Sequence, residues 1–111
     1  MLPRSQRLST EQFNQVMKLG RAYHSPLFLV RVADTKGTTR VSAAVPVKVG
    51  KLAVIRNKFR RKIYEAVHPL MEKVIQDRFV VIIAKNTILT ATQRAMETEI
   101  ESVFVKAKLL R

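Results

Sequence analysis

The apolar positions change their period several times along the chain, and each change marks an element. Phe13, Val16 and Met17 recur at helical spacing just after Ser9-Thr10-Glu11-Gln12. That tetrad is a capping box: Ser9 can accept from the Gln12 N–H while the Gln12 amide reaches back. With Gly20 as a stop, a first helix is predicted from about Thr10 to Leu19. Residues 27–33 and 40–47 are rich in apolar and β-branched side chains, which suits strands. The turn chemistry of Asp34-Thr35-Lys36-Gly37 between them predicts an antiparallel hairpin. Arg21–His24 is a candidate short strand before it, and Pro46, which has no N–H, ends the second hairpin strand or sits at an edge.

From residue 52 to residue 68 the period is helical again. Ile55, Phe59, Ile63, Ala66 or Val67, and Leu70 form one apolar stripe. Pro69 interrupts it, and a further turn or two over residues 70–75 is expected beyond. Arg78–Ala84 is a continuous apolar run, as in a central strand covered on both faces. A last helix over residues 92–107 places Met96, Ile100, Val103, Phe104 and Ala107 on one face. The order is helix, two or three strands, helix, strand, helix: an α+β chain with a strand-helix-strand unit in its second half.

With 111 residues, and neither an internal repeat nor a linker-like stretch, one domain over residues 1–111 is expected. There are no cysteines, which excludes disulfides and thiolate metal sites. Residues 1–7 hold no apolar segment of the secretory kind, and the longest apolar run is far too short to span a bilayer. A cytoplasmic protein with no membrane role is therefore expected.

Charge changes the picture most. The chain has 21 Lys and Arg against 8 Asp and Glu, a formal +13, and such self-repulsion calls for a polyanionic partner. The distribution is sharper than the total. No Asp or Glu occurs from residue 35 to residue 64, a window holding Lys36, Arg40, Lys48, Lys51, Arg56, Lys58, Arg60, Arg61 and Lys62. The last five lie in one predicted helix and off its apolar stripe. A merely solvated helix face ordinarily interleaves Glu with Lys; here none interrupts the basic residues before Glu65. Like charges one turn apart destabilise an isolated helix by a few tenths of a kcal/mol per pair, roughly. Nucleic acid removes that repulsion and releases its own condensed counterions.

The run from Lys48 through Val49, Gly50 and Lys51 to Arg56-Asn57-Lys58-Phe59-Arg60-Arg61-Lys62-Ile63-Tyr64-Glu65 resembles the signature of the bacterial ribonuclease P protein family. The resemblance extends over nearly the whole chain. It takes in Arg7-Leu8, Phe13 with Gly20 after it, Phe28, Arg40-Val41 and Ile82-Ile83-Ala84-Lys85. Departures are specific. Val47 replaces the first signature Lys, Pro46 a small residue, Lys58 an Arg, Arg60 a Lys and Tyr64 the last Arg; Met17 and Arg31 stand where the family often has aromatics.

The resemblance implies an α/β sandwich of about four strands and three main helices, like that of some ribosomal proteins, with a left-handed βαβ crossover. It implies a protein subunit that binds a catalytic RNA through Lys48, Lys51, Arg56, Asn57, Lys58, Arg60, Arg61 and Lys62. The single-stranded 5′ leader of precursor tRNA would bind a cleft between the first helix and the sheet, with Phe13, Tyr23 and Phe28 as candidates. Hydrolysis would belong to the RNA subunit and its Mg²⁺, with no cofactor in the protein itself. The alternative is a ribosomal or general RNA-chaperone protein, which shares size and charge.

Protein-based catalysis has little to stand on. His24 lies in a turn and His68 at a helix end, positions where histidines are commonly solvated. Glu97 and Glu101 share a helix face but Glu99 does not, so no metal cluster is expected there. Three glycines leave no phosphate-cradling loop.

Overall fold

The computed structural model describes residues 6–111. Residues 1–5, part of the stretch examined above for a secretory segment, lie outside them. The elements run α1 (Thr10–Leu19), β1 (Arg21–His24), β2 (Phe28–Asp34), β3 (Arg40–Ala44), α2 (Ala53–Val67), β4 (Arg78–Ala84) and α3 (Gln93–Lys106). Short 3₁₀ turns at His68–Lys73 and Asn86–Thr90 flank β4.

The helix ends follow local chemistry. Ser9 Oγ accepts from the Gln12 N–H while Gln12 Oε1 accepts from the Ser9 N–H, so the capping box at α1 is complete. Thr92 caps α3 by accepting from the Ala95 N–H. Pro69 sits at the start of the 3₁₀ turn that follows α2, where its missing N–H costs little. β3 stops at Ala44, two residues short of Pro46.

The four strands are ordered β1-β2-β4-β3. β1 pairs antiparallel with β2, β2 antiparallel with β4, and β3 parallel with β4. The predicted β2–β3 hairpin is therefore wrong: β4 lies between the two strands, with Val30 opposite Ile82 on one side and Ala43 opposite Ile82 on the other. The loop after β2 is stitched to the approach to β4 instead. The Gly37 N–H donates to Asp77 Oδ1 at 2.7 Å, and the Asp77 N–H to the Gly37 carbonyl at 3.0 Å. Thr39, buried, donates to the Ile75 carbonyl and accepts from the Arg78 N–H. Asp77 holds φ 68, a left-handed conformation that Asp tolerates better than most side chains. The chain leaves β3 through α2 and returns as β4 beside it, which is the predicted strand-helix-strand unit.

Strand alternation divides the core in two. Phe28, Val30 and Val32 of β2 join Val80, Ile82 and Ala84 of β4 on one face. Phe59, Ile63 and Val67 of α2, with Met96, Ile100 and Phe104 of α3, cover that face. Full burial of side chains such as Ile63 and Val67 contributes about 1.5–3 kcal/mol each. On the other face Ala33, Phe79 and Val81 pack on Val16 of α1, with Leu8, Phe13 and Ile83 at the margin. The result is three layers: α2 and α3, the sheet, and α1.

Gly20 permits the third layer. A Cβ there would sit 2.5 Å from the Val16 carbonyl oxygen and 3.3 Å from the Val32 nitrogen, so α1 descends onto β2 only because that atom is missing. Arg31 completes the junction, donating through Nη2 to the Gly20 carbonyl at 3.0 Å.

Candidate nucleic-acid interface

The basic residues of α2 divide by helical position. Phe59, Ile63, Tyr64, Ala66 and Val67 are buried, and the basic side chains occupy the positions left between and opposite them. Asn57, Lys58 and Arg61 are exposed, while Arg56, Arg60 and Lys62 are half-buried. Lys48 and Lys51, in the approach to α2, are exposed too. All eight sequence-predicted basic-face residues thus fall on one helix or the loop leading into it.

Several of these side chains are pre-set by the protein. Arg56 Nη1 donates to the carbonyls of Gly50 and Lys51, at 2.8 and 3.0 Å, which ties the helix to its own approach loop. Arg60 donates to Asn57 Oδ1 one turn back. The ammonium groups of Lys58 and Lys62 lie 5.9 and 5.5 Å from the Phe59 ring centre, within cation–π range. The first turn of α2 carries no acidic residue and no side-chain cap. Its positive macrodipole end therefore adds to Lys48 and Lys51 rather than being neutralised.

Arg56, Arg60 and Tyr64 recur every fourth residue, along one flank of α2. That flank borders a groove of about 380 Å³ lined by Arg7, Leu8, Ser9, Thr10, Phe13, Ser42, Ala43, Arg60 and Tyr64. It continues past Arg7 and Ser42 to Arg40. Residues from the start of α1, the edge of β3 and α2 therefore meet in one place. The Leu8 N–H donates to Ser42 Oγ at 2.8 Å, and the Ala43 N–H to the Tyr64 hydroxyl at 3.1 Å. Lys48 lines a separate pocket of about 300 Å³ with Leu29, Pro46, Val49, Ile83 and Lys85.

The leader-cleft candidates do not stay together. Phe13 is half-buried, packs at the margin of the α1 cluster and lines the groove. Phe28 has no exposed surface and belongs to the core under α2 and α3. Tyr23, opposite Val30 in the β1–β2 register, packs against that same core. Phe28 and Tyr23 are therefore on the wrong side of the sheet for a cleft beside α1, because strand parity sends their side chains the other way. Sequence reasoning missed Ser9, Thr10, Ser42 and Tyr64 as neighbours of the basic flank. For Tyr64 a signal existed in its spacing from Arg56 and Arg60.

His24 and His68 are both exposed, one at the end of β1 and the other after α2. Glu99 is engaged in the fold, its Oε1 accepting from the Leu27 N–H at 2.9 Å. No group of three or more His, Cys, Asp or Glu suited to a metal ion occurs among the described residues. No helix among them is long and apolar enough to cross a membrane.

Fold and face together define a small, basic α+β protein built to bind nucleic acid. The chain belongs to the ribonuclease P protein family: the family described as Ribonuclease P matches it over residues 2–108. The ribonuclease P protein component of Symbiobacterium thermophilum is 35% identical over 101 residues, covering 89% of this chain and 87% of that protein. That of Brevibacillus brevis is 32% identical over 111 residues, covering 97% and 87%. Among solved structures, the Staphylococcus aureus RNase P protein superposes with a TM-score of 0.84 at 23% identity, covering 96% of this chain and 98% of that one. The Thermotoga maritima RNase P protein gives 0.75 at 19% identity, covering 87% and 94%. These likenesses bear out the expected α+β sandwich and the family resemblance, and none of them points to a ribosomal protein.

Proposed function

We propose that this chain is the RNA-binding subunit of a bacterial ribonuclease P ribonucleoprotein and works in the cytoplasm on precursor tRNA. Its role is to hold the RNA subunit and the substrate's 5′ leader, while the RNA subunit carries out hydrolysis with Mg²⁺. The protein itself takes no cofactor in this reading. The observation that carries it is family membership over almost the full chain, combined with an α2 whose solvent faces are basic and free of carboxylates before Glu65.

Each residue's part follows from its chemistry. Arg61 presents a forked guanidinium, and Lys58 and Lys62 ammonium groups, to phosphates, with Lys48 and Lys51 extending the same face toward the start of the helix. Arg56 is held by two backbone carbonyls, so its remaining donors are aimed before RNA arrives. Asn57 orients Arg60 through its side-chain oxygen. Phe13 supplies an aromatic wall for unpaired leader bases, a contact indifferent to sequence because every base has a π face.

Affinity for RNA partners tests the assignment. The protein is expected to bind a bacterial ribonuclease P RNA much more tightly than a ribosomal RNA fragment of equal length at the same salt. Equal affinities would mean that charge alone drives binding, and would overturn the specific assignment.

A further inference from the structure

The exposed cations of this chain are not confined to α2. Lys73, Lys106, Lys108 and Arg111 are all exposed, and they lie where residues 106–111 meet the 3₁₀ turn that follows α2. Val74 and Leu110 form an antiparallel bridge there. The Ile75 N–H donates to the Leu109 carbonyl at 2.7 Å, and the Arg111 N–H to the Lys73 carbonyl at 2.8 Å. We propose that these four cations form a second RNA-binding surface, separate from α2, which takes the phosphate backbone of a paired RNA stem. The inference rests on the reading of the chain as the RNA-binding subunit of ribonuclease P, and adds a contact that neither α1 nor α2 makes.

Repulsion within the surface is the first argument. Antiparallel pairing sets Lys73 opposite Arg111, one step beyond the Val74–Leu110 bridge, and like charges so placed destabilise each other. Lys108 is the second. α3 ends in a Schellman motif, in which the Lys108 N–H donates to the Val105 carbonyl at 3.0 Å and the Leu109 N–H to the Phe104 carbonyl at 2.9 Å. Leu109 and Phe104 are fully buried, which fixes the motif in place. Its left-handed position, at φ 59, is where glycine is the usual residue, yet Lys108 occupies it with its side chain exposed.

The third argument is the balance of charge. Residues 104–111 hold no Asp or Glu, and residues 70–76 hold only Glu72. Asp77, the next residue, accepts from the Gly37 N–H. Ion pairs among the described residues join Arg21 and Arg78 to Asp34, and none involves these four cations. Lys106 has an ordinary reason to be there, since its charge suits the C-terminal end of the α3 dipole. That reason does not extend to Lys73, Lys108 and Arg111. A polyanion relieves their repulsion and gives up its condensed counterions.

Geometry and composition narrow the ligand. Lys48 and Lys51 precede α2 while Lys73 follows it, and the 15 residues of that helix set its ends about 22 Å apart. One phosphate cannot touch both ends, so this surface needs its own stretch of backbone. Phe104, the one aromatic residue in the two segments, is buried, which leaves no platform for stacking unpaired bases. Cations without such a platform suit a paired stem, which is recognised through its shape and its phosphates.

Two variants test the proposal, Lys108→Gly and the paired change Lys73→Gln with Arg111→Gln. Lys108→Gly removes a charge and relieves the left-handed position, so its melting temperature should rise while its affinity for RNA falls. A purely structural role for Lys108 would not give that opposition. Salt titrations are run in two arms: the protein with a bacterial ribonuclease P RNA, and the protein saturating that RNA with mature tRNA. The slope of log K against log salt is expected to fall by about one for Lys108→Gly and by about two for the paired change. A fall in the first arm assigns the stem to the RNA subunit, and a fall in the second assigns it to the tRNA. Unchanged slopes in both arms overturn the second surface. Should the paired change lower stability, Lys108→Gly decides by itself. If wild type binds that RNA no more tightly than a ribosomal RNA fragment of equal length, the ribonuclease P reading fails, and this inference with it. Preferential binding by wild type, with both variants binding as wild type does, overturns this inference alone.

Discussion

The hydroxyl of Tyr64 accepts a hydrogen bond from the backbone N–H of Ala43 at 3.1 Å, and this contact pins the flank of α2 to the outer edge of the sheet. β3 is the last strand in the order β1-β2-β4-β3, so its outward N–H groups need partners that no further strand supplies. The Tyr64 hydroxyl answers this for Ala43, while Ser42 Oγ, receiving the Leu8 N–H, ties the approach to α1 to the same strand. Tyr64→Phe keeps the ring but orphans a buried donor. It is expected to lower unfolding free energy by about 1–3 kcal/mol in a denaturant titration. An unchanged midpoint would mean that the contact contributes nothing.

Arg61 is exposed and off the apolar face, so Arg61→Ala should leave thermal stability unchanged. Its loss should weaken binding to the RNA subunit and reduce the slope of log K against log salt by about one. An unaltered slope would remove Arg61 from the phosphate-contacting set.

Phe13 and Phe28 should behave as opposites, although both entered as cleft candidates. Phe28 has no exposed surface, so Phe28→Ala is expected to cost about 3–5 kcal/mol of stability without a leader-specific effect in whatever fraction remains folded. Phe13 is half-buried, so Phe13→Ala should cost roughly half as much and also lower affinity for leader-bearing tRNA relative to mature tRNA. Paired stability and affinity measurements separate the two cases. A leader-specific loss at Phe28 would contradict its placement under α2 and α3.

Gly20→Ala should unseat α1. The added Cβ would meet the Val16 carbonyl oxygen at 2.5 Å, too close to be absorbed by a side-chain movement. Overpacking of this kind costs about 1–3 kcal/mol. Leader-dependent affinity should fall because Phe13 moves with α1, while binding of the RNA subunit through α2 is preserved. Parallel losses of both would indicate that the two surfaces do not separate in this way.

Much of this architecture is legible in the chain, and what is not has a common cause. The capping box at Ser9, the stripe from Phe59 to Val67 and the apolar run Arg78–Ala84 are local patterns, and each became the element it implied. The turn residues Asp34 to Gly37 do reverse the chain. A turn says nothing about whether another strand slides between its arms, and β4, apolar on both faces, takes that central place. The same limit misplaced Tyr23 and Phe28. Alternation within β2 groups Phe28 with Val30 and Val32, but which face α1 covers depends on Val16 meeting Val81 and Phe79 far along the chain. The basic face of α2 was legible because period and charge lie in one continuous helix. The groove beside it was not, since it joins residues from three separated segments.

The central claim is that the protein assists an RNA catalyst rather than cleaving RNA itself, and reconstitution tests it most directly. Purified protein is added to a bacterial ribonuclease P RNA and precursor tRNA at a Mg²⁺ concentration where the RNA alone is nearly inactive. The account predicts accurate 5′ maturation with both components present and none with the protein alone. Cleavage of precursor tRNA by repurified protein without the RNA subunit, or no stimulation of that RNA at low Mg²⁺, would contradict it.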